Sequence, residues 1–124
     1  MNKSPQLKPL SNPELSSFSS QLSLILRSGI SALEGISIML EDASSEEEKA
    51  ILNALSENLQ EIGSLNEALE QTQLFPAYMI RMVRIGEETG TLDDVMAALG
   101  DHYAREDTIT RTIRSAVTYP MIII

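Results

Sequence analysis

Residues 75–120 read FPAYMIRMVRIGEETGTLDDVMAALGDHYAREDTITRTIRSAVTYP, and this stretch decides the fold. Pro76 behind Phe75 suits the start of a helix, because its φ is already set and its missing N–H would be unpaired there anyway. Tyr78 or Met79, Met82 and Ile85 or Gly86 recur at helical spacing and predict one apolar face, with Arg81 and Arg84 elsewhere on the cylinder. Gly86-Glu87-Glu88-Thr89-Gly90 then forms a glycine-rich corner. Thr91-Leu92-Asp93-Asp94 opens a second helix, with the Thr91 hydroxyl accepting from the amide of Asp94 while Asp94 reaches back. Leu92, Val95, Met96, Leu99, Tyr103, Ile109, Ile113, Ala116 and Val117 carry an apolar stripe through a long helix. Gly100 costs that helix up to about 1 kcal/mol relative to Ala, which predicts a close helix crossing at this point.

Working outward, Met1 to Ser11 holds Pro5 and Pro9 among polar residues without periodicity and reads as a flexible lead-in, residues 1–11. Asn12-Pro13-Glu14 reads as N-cap, first-turn proline and acid at the positive helix end, with Leu15, Phe18, Leu22, Ile25 and Leu26 on the inner face. Gly29 ends this helix. Ser31 to Glu34 offers a capping box for the next, whose inner face is Leu33, Ile36 or Ser37, Met39 and Leu40, with Gly35 allowing close approach. Ser45 with Glu46, Glu47 and Glu48 starts a third helix with Ile51 or Leu52, Leu55, Leu59 and Ile62 inside. Gly63 ends it, and Ser64-Leu65-Asn66-Glu67 caps a short fourth through Leu69. No stretch alternates as a strand would. The expected fold is all-α: a six-helix, up-down antiparallel bundle over residues 12–118, with a long C-terminal helix leading toward a membrane span.

Composition supports one such domain. The 124 residues are 43% hydrophobic but only 4% aromatic, without Cys or Trp, so the core must be aliphatic and no disulfide or thiolate metal site is possible. The net charge of −9 leaves no basic surface for phosphate neutralisation, which argues against nucleic acid as a partner. Met121 to Ile124 falls far short of the roughly 20 apolar residues that cross a bilayer, and residues 119–124 read as the start of a truncated transmembrane helix. Arg105, Arg111 and Arg114 lie beside it, on the side the positive-inside rule assigns to the cytoplasm. The start of the chain lacks the apolar core of a signal peptide.

Chemistry is sparse. His102 is the one histidine, so neither a Cys-His pair nor a two-histidine metal site can form within one chain, and it reads as a half-exposed helical residue. The Ser and Thr residues fall where caps and turns want them. Gly86 to Gly90 lacks the spacing and the lysine of a phosphate loop and brings two carboxylates to it, so it reads as a structural corner. Glu87, Glu88, Asp93 and Asp94, or Asp101, Glu106 and Asp107, could hold a hard cation only if oxygens converged from another subunit. Met39, Met79, Met82 and Met96 read as core filler rather than as a binding groove. No catalytic, cofactor-binding or metal residue is assigned.

Several of these stretches resemble the type II secretion F family. Phe18 to Ile30, with Phe18, Leu22 and Gly29, is similar to its opening F-x-x-x-L-x-x-L-L-x-x-G. Gly63-Ser64-Leu65-Asn66-Glu67-Ala68-Leu69 resembles its G-x-S-L-x-x-A-L. Phe75-Pro76, the corner Met82 to Leu92 with Val83, Gly86, Glu87, Thr89, Gly90 and Leu92, and Ala116 to Pro120 with Tyr119 and Pro120 complete the order. The resemblance implies a non-catalytic platform at the bacterial inner membrane, with this domain on the cytoplasmic side, coupling an assembly ATPase to pilin or pseudopilin assembly. It implies as partners that ATPase, other inner-membrane components, pilin or pseudopilin, and a further copy in a dimer or larger homo-oligomer. The competing expectation is a soluble regulatory or adaptor bundle that docks through its apolar C-terminal end.

Overall fold

The computed structural model describes residues 7–106. Five helices are bounded within it, α1 (Asn12–Arg27), α2 (Ala32–Glu41), α3 (Glu46–Ile62), α4 (Leu65–Thr72) and α5 (Ala77–Thr89). A sixth, α6, covers 92–106 of the described residues, which include no strand. The all-α bundle expected from the periodicity is therefore present. The length of the C-terminal helix, and with it Asp107, Ile109, Arg111, Ile113, Arg114, Ala116, Val117, Tyr119 and Pro120, lies outside the described residues.

Helices α1 to α4 each begin where a serine side chain satisfies an amide that the helix itself leaves unpaired. Ser31, Ser45 and Ser64 accept from the amides of Glu34, Glu48 and Glu67 at the starts of α2, α3 and α4, as the S-x-x-E spacing predicts. The first helix starts one residue earlier than expected. Ser11, not Asn12, is its N-cap, because only Ser11 stands three residues before Glu14, whose carboxylate accepts from the Ser11 amide at 2.8 Å. Pro76 is likewise the N-cap of α5 rather than a residue of its first turn, with ψ at 151°. The box expected at Thr91 takes another form: the Thr91 hydroxyl pairs with that of Thr89 at 2.7 Å, and Asp94 turns to Arg27.

Packing follows the stripes with local corrections. Leu15, Phe18 and Leu22 from α1, Ile36 and Met39 from α2, Leu52, Leu55 and Leu59 from α3, and Leu65, Ala68 and Leu69 from α4 are buried together. Leu74, Phe75, Met79, Val83, Met96, Leu99 and Tyr103 complete the core. Each large aliphatic side chain taken fully from water contributes about 1.5–3 kcal/mol, so this cluster is the main source of stability. On α3 the stripe turns so that Leu52 and Ser56 face inward and Ile62 is 37% exposed, because the helix ends against α4 and not over the core. Ser37 is exposed and Ile36 is the inner residue of α2. On α5 the inner line is Met79, Val83 and Gly86, one residue round from the alternative that would place Tyr78, Met82 and Ile85 inside. Tyr78 and Ile85 are 42% and 48% exposed, and Met82 is half-buried. Of the four methionines expected as core filler, Met39, Met79 and Met96 are core residues.

Short connections make successive helices neighbours. α2 packs on α1 and α3, and α4 packs on α3 and α5. Within the stretch read as a lead-in, the Leu10 amide donates to the Leu74 carbonyl at 3.1 Å, which ties it to the α4–α5 connection. Gly35 sits against Leu22 and Ile25, where an added Cβ would come within 2.9 Å of Ile25. The glycine-rich corner is shorter than expected: α5 continues through Glu87, Glu88 and Thr89, and only Gly90 and Thr91 turn the chain.

Candidate functional site

The densest polar arrangement is the joint where α4, α5 and α6 meet, and it is built by Gly86 to Leu92. An eight-residue helix such as α4 leaves its first amides unpaired inside the bundle unless something accepts them. Ser64 takes the amide of Glu67. The carboxylate of Glu87 takes the other two, Leu65 N at 2.8 Å and Asn66 N at 2.9 Å, one on each oxygen. The Ser64 hydroxyl lies 3.4 Å from the same group. A carboxylate at the positive end of a helix is favoured by the dipole as well as by two charge-assisted bonds. Glu87 is thus spent in clamping one helix onto another.

The residues around Glu87 place that carboxylate. Gly86 has no room for a side chain: a Cβ there would lie 3.0 Å from Val95 and 3.1 Å from the Leu92 backbone, so α5 and α6 meet at contact distance. Thr89 donates to the Ile85 carbonyl at 2.8 Å. Gly90 adopts φ 71°, a left-handed conformation that glycine takes without a Cβ penalty, and the Thr91 amide returns to the Gly86 carbonyl at 2.9 Å. Val83 is buried one turn back, and Leu92 is half-buried at the start of α6.

The other singled-out residues fall in three places. Phe18 and Phe75 pack against each other with centroids 5.4 Å apart and ring planes tilted by 48°, fastening α1 to the α4–α5 connection. Leu22 and Leu65 are fully buried core residues, and Pro76 caps α5. Gly29 and Gly63 end α1 and α3 with positive φ.

A second seam, between α1 and α6, is not legible in the sequence as such. Serines expected at caps and turns stand here in mid-helix: Ser16 donates to the Gly100 carbonyl at 2.8 Å and Ser23 to the Asp93 carbonyl at 3.0 Å. Ser16 is early in α1 and meets α6 late, while Ser23 is late and meets it early, so the two helices run antiparallel. A Cβ on Gly100 would collide with Ser20 Oγ, which accounts for the glycine as a close crossing. Arg27 closes the seam on Asp94 at 3.2 Å. The spacing of Ser16, Ser19 and Ser23 beside Leu15 and Leu22 was the available signal, since small hydroxyl residues in mid-helix on the inner side permit close contact.

His102 is half-buried between two aromatic rings, 4.9 Å from Tyr78 and 4.8 Å from Tyr103. Burial pushes the Tyr103 hydroxyl up to about 12, with smaller contributions from Tyr78 and Glu106. Its oxygen and that of Ser19 have no hydrogen-bond partner among the described residues. No group of three or more carboxylates or imidazoles among the described residues is placed to hold a metal ion. Glu87, Asp94 and Asp101 lie on different structural duties or faces: Glu87 on α4, Asp94 on Arg27, Asp101 exposed. The described residues form two notable surface depressions. A cleft of about 440 Å³ lies over the Glu87 joint, between Asn66, Glu70, Ile80 and Arg84, and a groove of about 350 Å³ lies among α1, α2 and α3. No helix among the described residues is long and apolar enough to cross a membrane.

The arrangement therefore holds α4, α5 and α6, and α1 against α6, in fixed relation and leaves two depressions at the surface. The profile of the family described as type II secretion system (T2SS), protein F, matches residues 18–124. Curated relatives include the protein transport protein HofC homolog of Escherichia coli, 31% identical over 84% of this chain and 26% of that protein. The type IV pilus assembly protein PilC of Thermus thermophilus is 29% identical over 89% of this chain and 27% of its own length. The type II secretion system protein F of Aeromonas hydrophila is 30% identical over 86% and 28%. The chain spans about a quarter of the length of these relatives. With the profile covering residues 18–124 of the 124, the chain belongs to the type II secretion system protein F family.

Proposed function

We propose that this chain is a cytoplasmic helical bundle of an inner-membrane platform protein, which couples an assembly ATPase to the building of a type IV pilus or a secretion pseudopilus. The family match over residues 18–124 carries this reading. The names of the relatives, which speak of protein transport, pilus assembly and type II secretion, favour assembly over catalysis. Residues 12–118 form the bundle in this reading, and residues 119–124 lead into a membrane span. The ATPase, other inner-membrane components, pilin or pseudopilin, and a second copy of the platform are its partners.

Rigidity is the physical property that the role requires. A push or rotation delivered to the bundle reaches the membrane only if the helices do not slide, and the Glu87 clamp and the α1–α6 seam supply that resistance. Inserting a flexible Gly-Ser segment at Thr118 in the intact protein is expected to abolish pilus assembly or secretion while ATPase binding persists. Assembly at the normal level in that variant would reject the coupling role.

A further inference from the structure

The groove among α1, α2 and α3 combines an apolar floor with a rim of one sign. Phe18, Met39 and Ile51 line its floor, Glu14, Asp42 and Glu48 stand around it, and among the described residues no Lys or Arg lines it. The chain next to it adds Glu41 and Glu47, Lys49 is paired with Glu46 at 3.7 Å, and Lys8, two residues before Leu10, is the remaining cation nearby in sequence among the described residues. Carboxylates gathered around a low-dielectric surface focus a negative potential on it, which attracts cations and repels anionic lipid or nucleic acid. At about 350 Å³ the groove is at the small end of ligand pockets, roughly 300–1,000 Å³, and suits a few anchoring side chains.

We propose that this groove docks a basic amphipathic segment of a partner protein, with one or two Leu- or Phe-sized side chains on the floor and flanking Lys or Arg against Glu14, Asp42 and Glu48. The mode is an amphipathic helix laid in a groove, with methionine supplying an adaptable wall. The proposal deepens the platform reading by naming a docking surface, and it rests on that reading for the presence of partners.

The test uses the isotopically labelled 124-residue chain and three synthetic probes of equal length. One is an amphipathic Leu/Lys peptide, one has every Lys replaced by Glu, and one keeps Lys but replaces Leu by Ser. The first is expected to bind saturably and to shift the amide signals of Ser17, Gln21, Asp42 and Ser45, while the other two do not. The paired reversal Asp42→Lys with Glu48→Lys should weaken binding at least about tenfold. The reversal Glu57→Lys with Glu61→Lys, equal in charge on another part of α3, should change it less than about twofold; both pairs lie at exposed positions, and their spectra report that the fold is kept. The proposal is overturned if both pairs weaken binding equally, if the Leu-free peptide binds as well, if the shifts map to the cleft over Glu87, or if no saturable binding occurs. Failure of the platform role appears instead in the Gly-Ser insertion experiment and leaves this peptide map unchanged.

Discussion

Replacing Glu87 by Ala removes both acceptors from the α4 N-terminus at once. The Leu65 and Asn66 amides lose bonds of 2.8 and 2.9 Å, and α4 is too short to hold its own first turn. Charge-assisted hydrogen bonds contribute about 1.5–3 kcal/mol each, but Glu87 is half-exposed and water recovers part of the loss, so about 2–3 kcal/mol for the pair is expected. For a domain of this size that lowers the melting temperature by about 10–20 °C. Glu87→Gln keeps one acceptor and loses the charge, and should fall about midway. Two measurements check this: thermal unfolding followed by circular dichroism, and amide exchange. Exchange at Leu65 and Asn66 should quicken about 10- to 100-fold, at a factor of ten per 1.4 kcal/mol, with amides in mid-α1 following only the global stability. A melting point within about 2 °C of the parent, or unchanged exchange at those two amides, would refute the clamp. If salt alone reproduced the loss, the dipole would be the whole effect and the bidentate geometry irrelevant.

Other consequences are more local. Gly86→Ala, although it raises helix propensity, drives a methyl into Val95 and the Leu92 backbone and should cost about 1–3 kcal/mol by chemical denaturation. Tyr103→Phe discards a buried hydroxyl that lacks a partner among the described residues and should leave stability at neutral pH unchanged or slightly higher. Because the folded pKa is raised to about 12 from 10.0, the contribution of Tyr103 is complete below pH 10 and is lost as pH climbs toward 12; the Phe variant should lack that part of the alkaline decline in a pH series of melts. Ser19→Ala should stabilise by about 1 kcal/mol for the same reason, with a gain in helix propensity, and a destabilised variant would show that the hydroxyl is satisfied. Arg27→Ala should cost under about 1 kcal/mol and less in high salt, because Arg27 and Asp94 are 49% and 72% exposed.

The fold was legible because its signals are local. Apolar residues at helical spacing, the serines at 31, 45 and 64 with an acid three residues on, and the glycines at 29, 63 and 90 mark helices and their ends with no knowledge of what they pack against. The small errors have a common origin. Ser11 and Asn12 are both able caps, and Tyr78 and Met79 both able core residues, and in each pair only the completed contacts choose between neighbours.

Sequence by itself determined an acidic, cysteine-free, all-helical domain with a mainly aliphatic core and the order of motifs that marks its family, since composition, periodicity and capping act over a few residues. Tertiary structure alone decided that Glu87 serves α4, that mid-helix serines face α6 carbonyls, and that acids from α1, α2 and α3 ring one groove. Those pairings join residues far apart in the chain, and nothing in either partner's own neighbourhood says which distant group packing will bring within 3 Å.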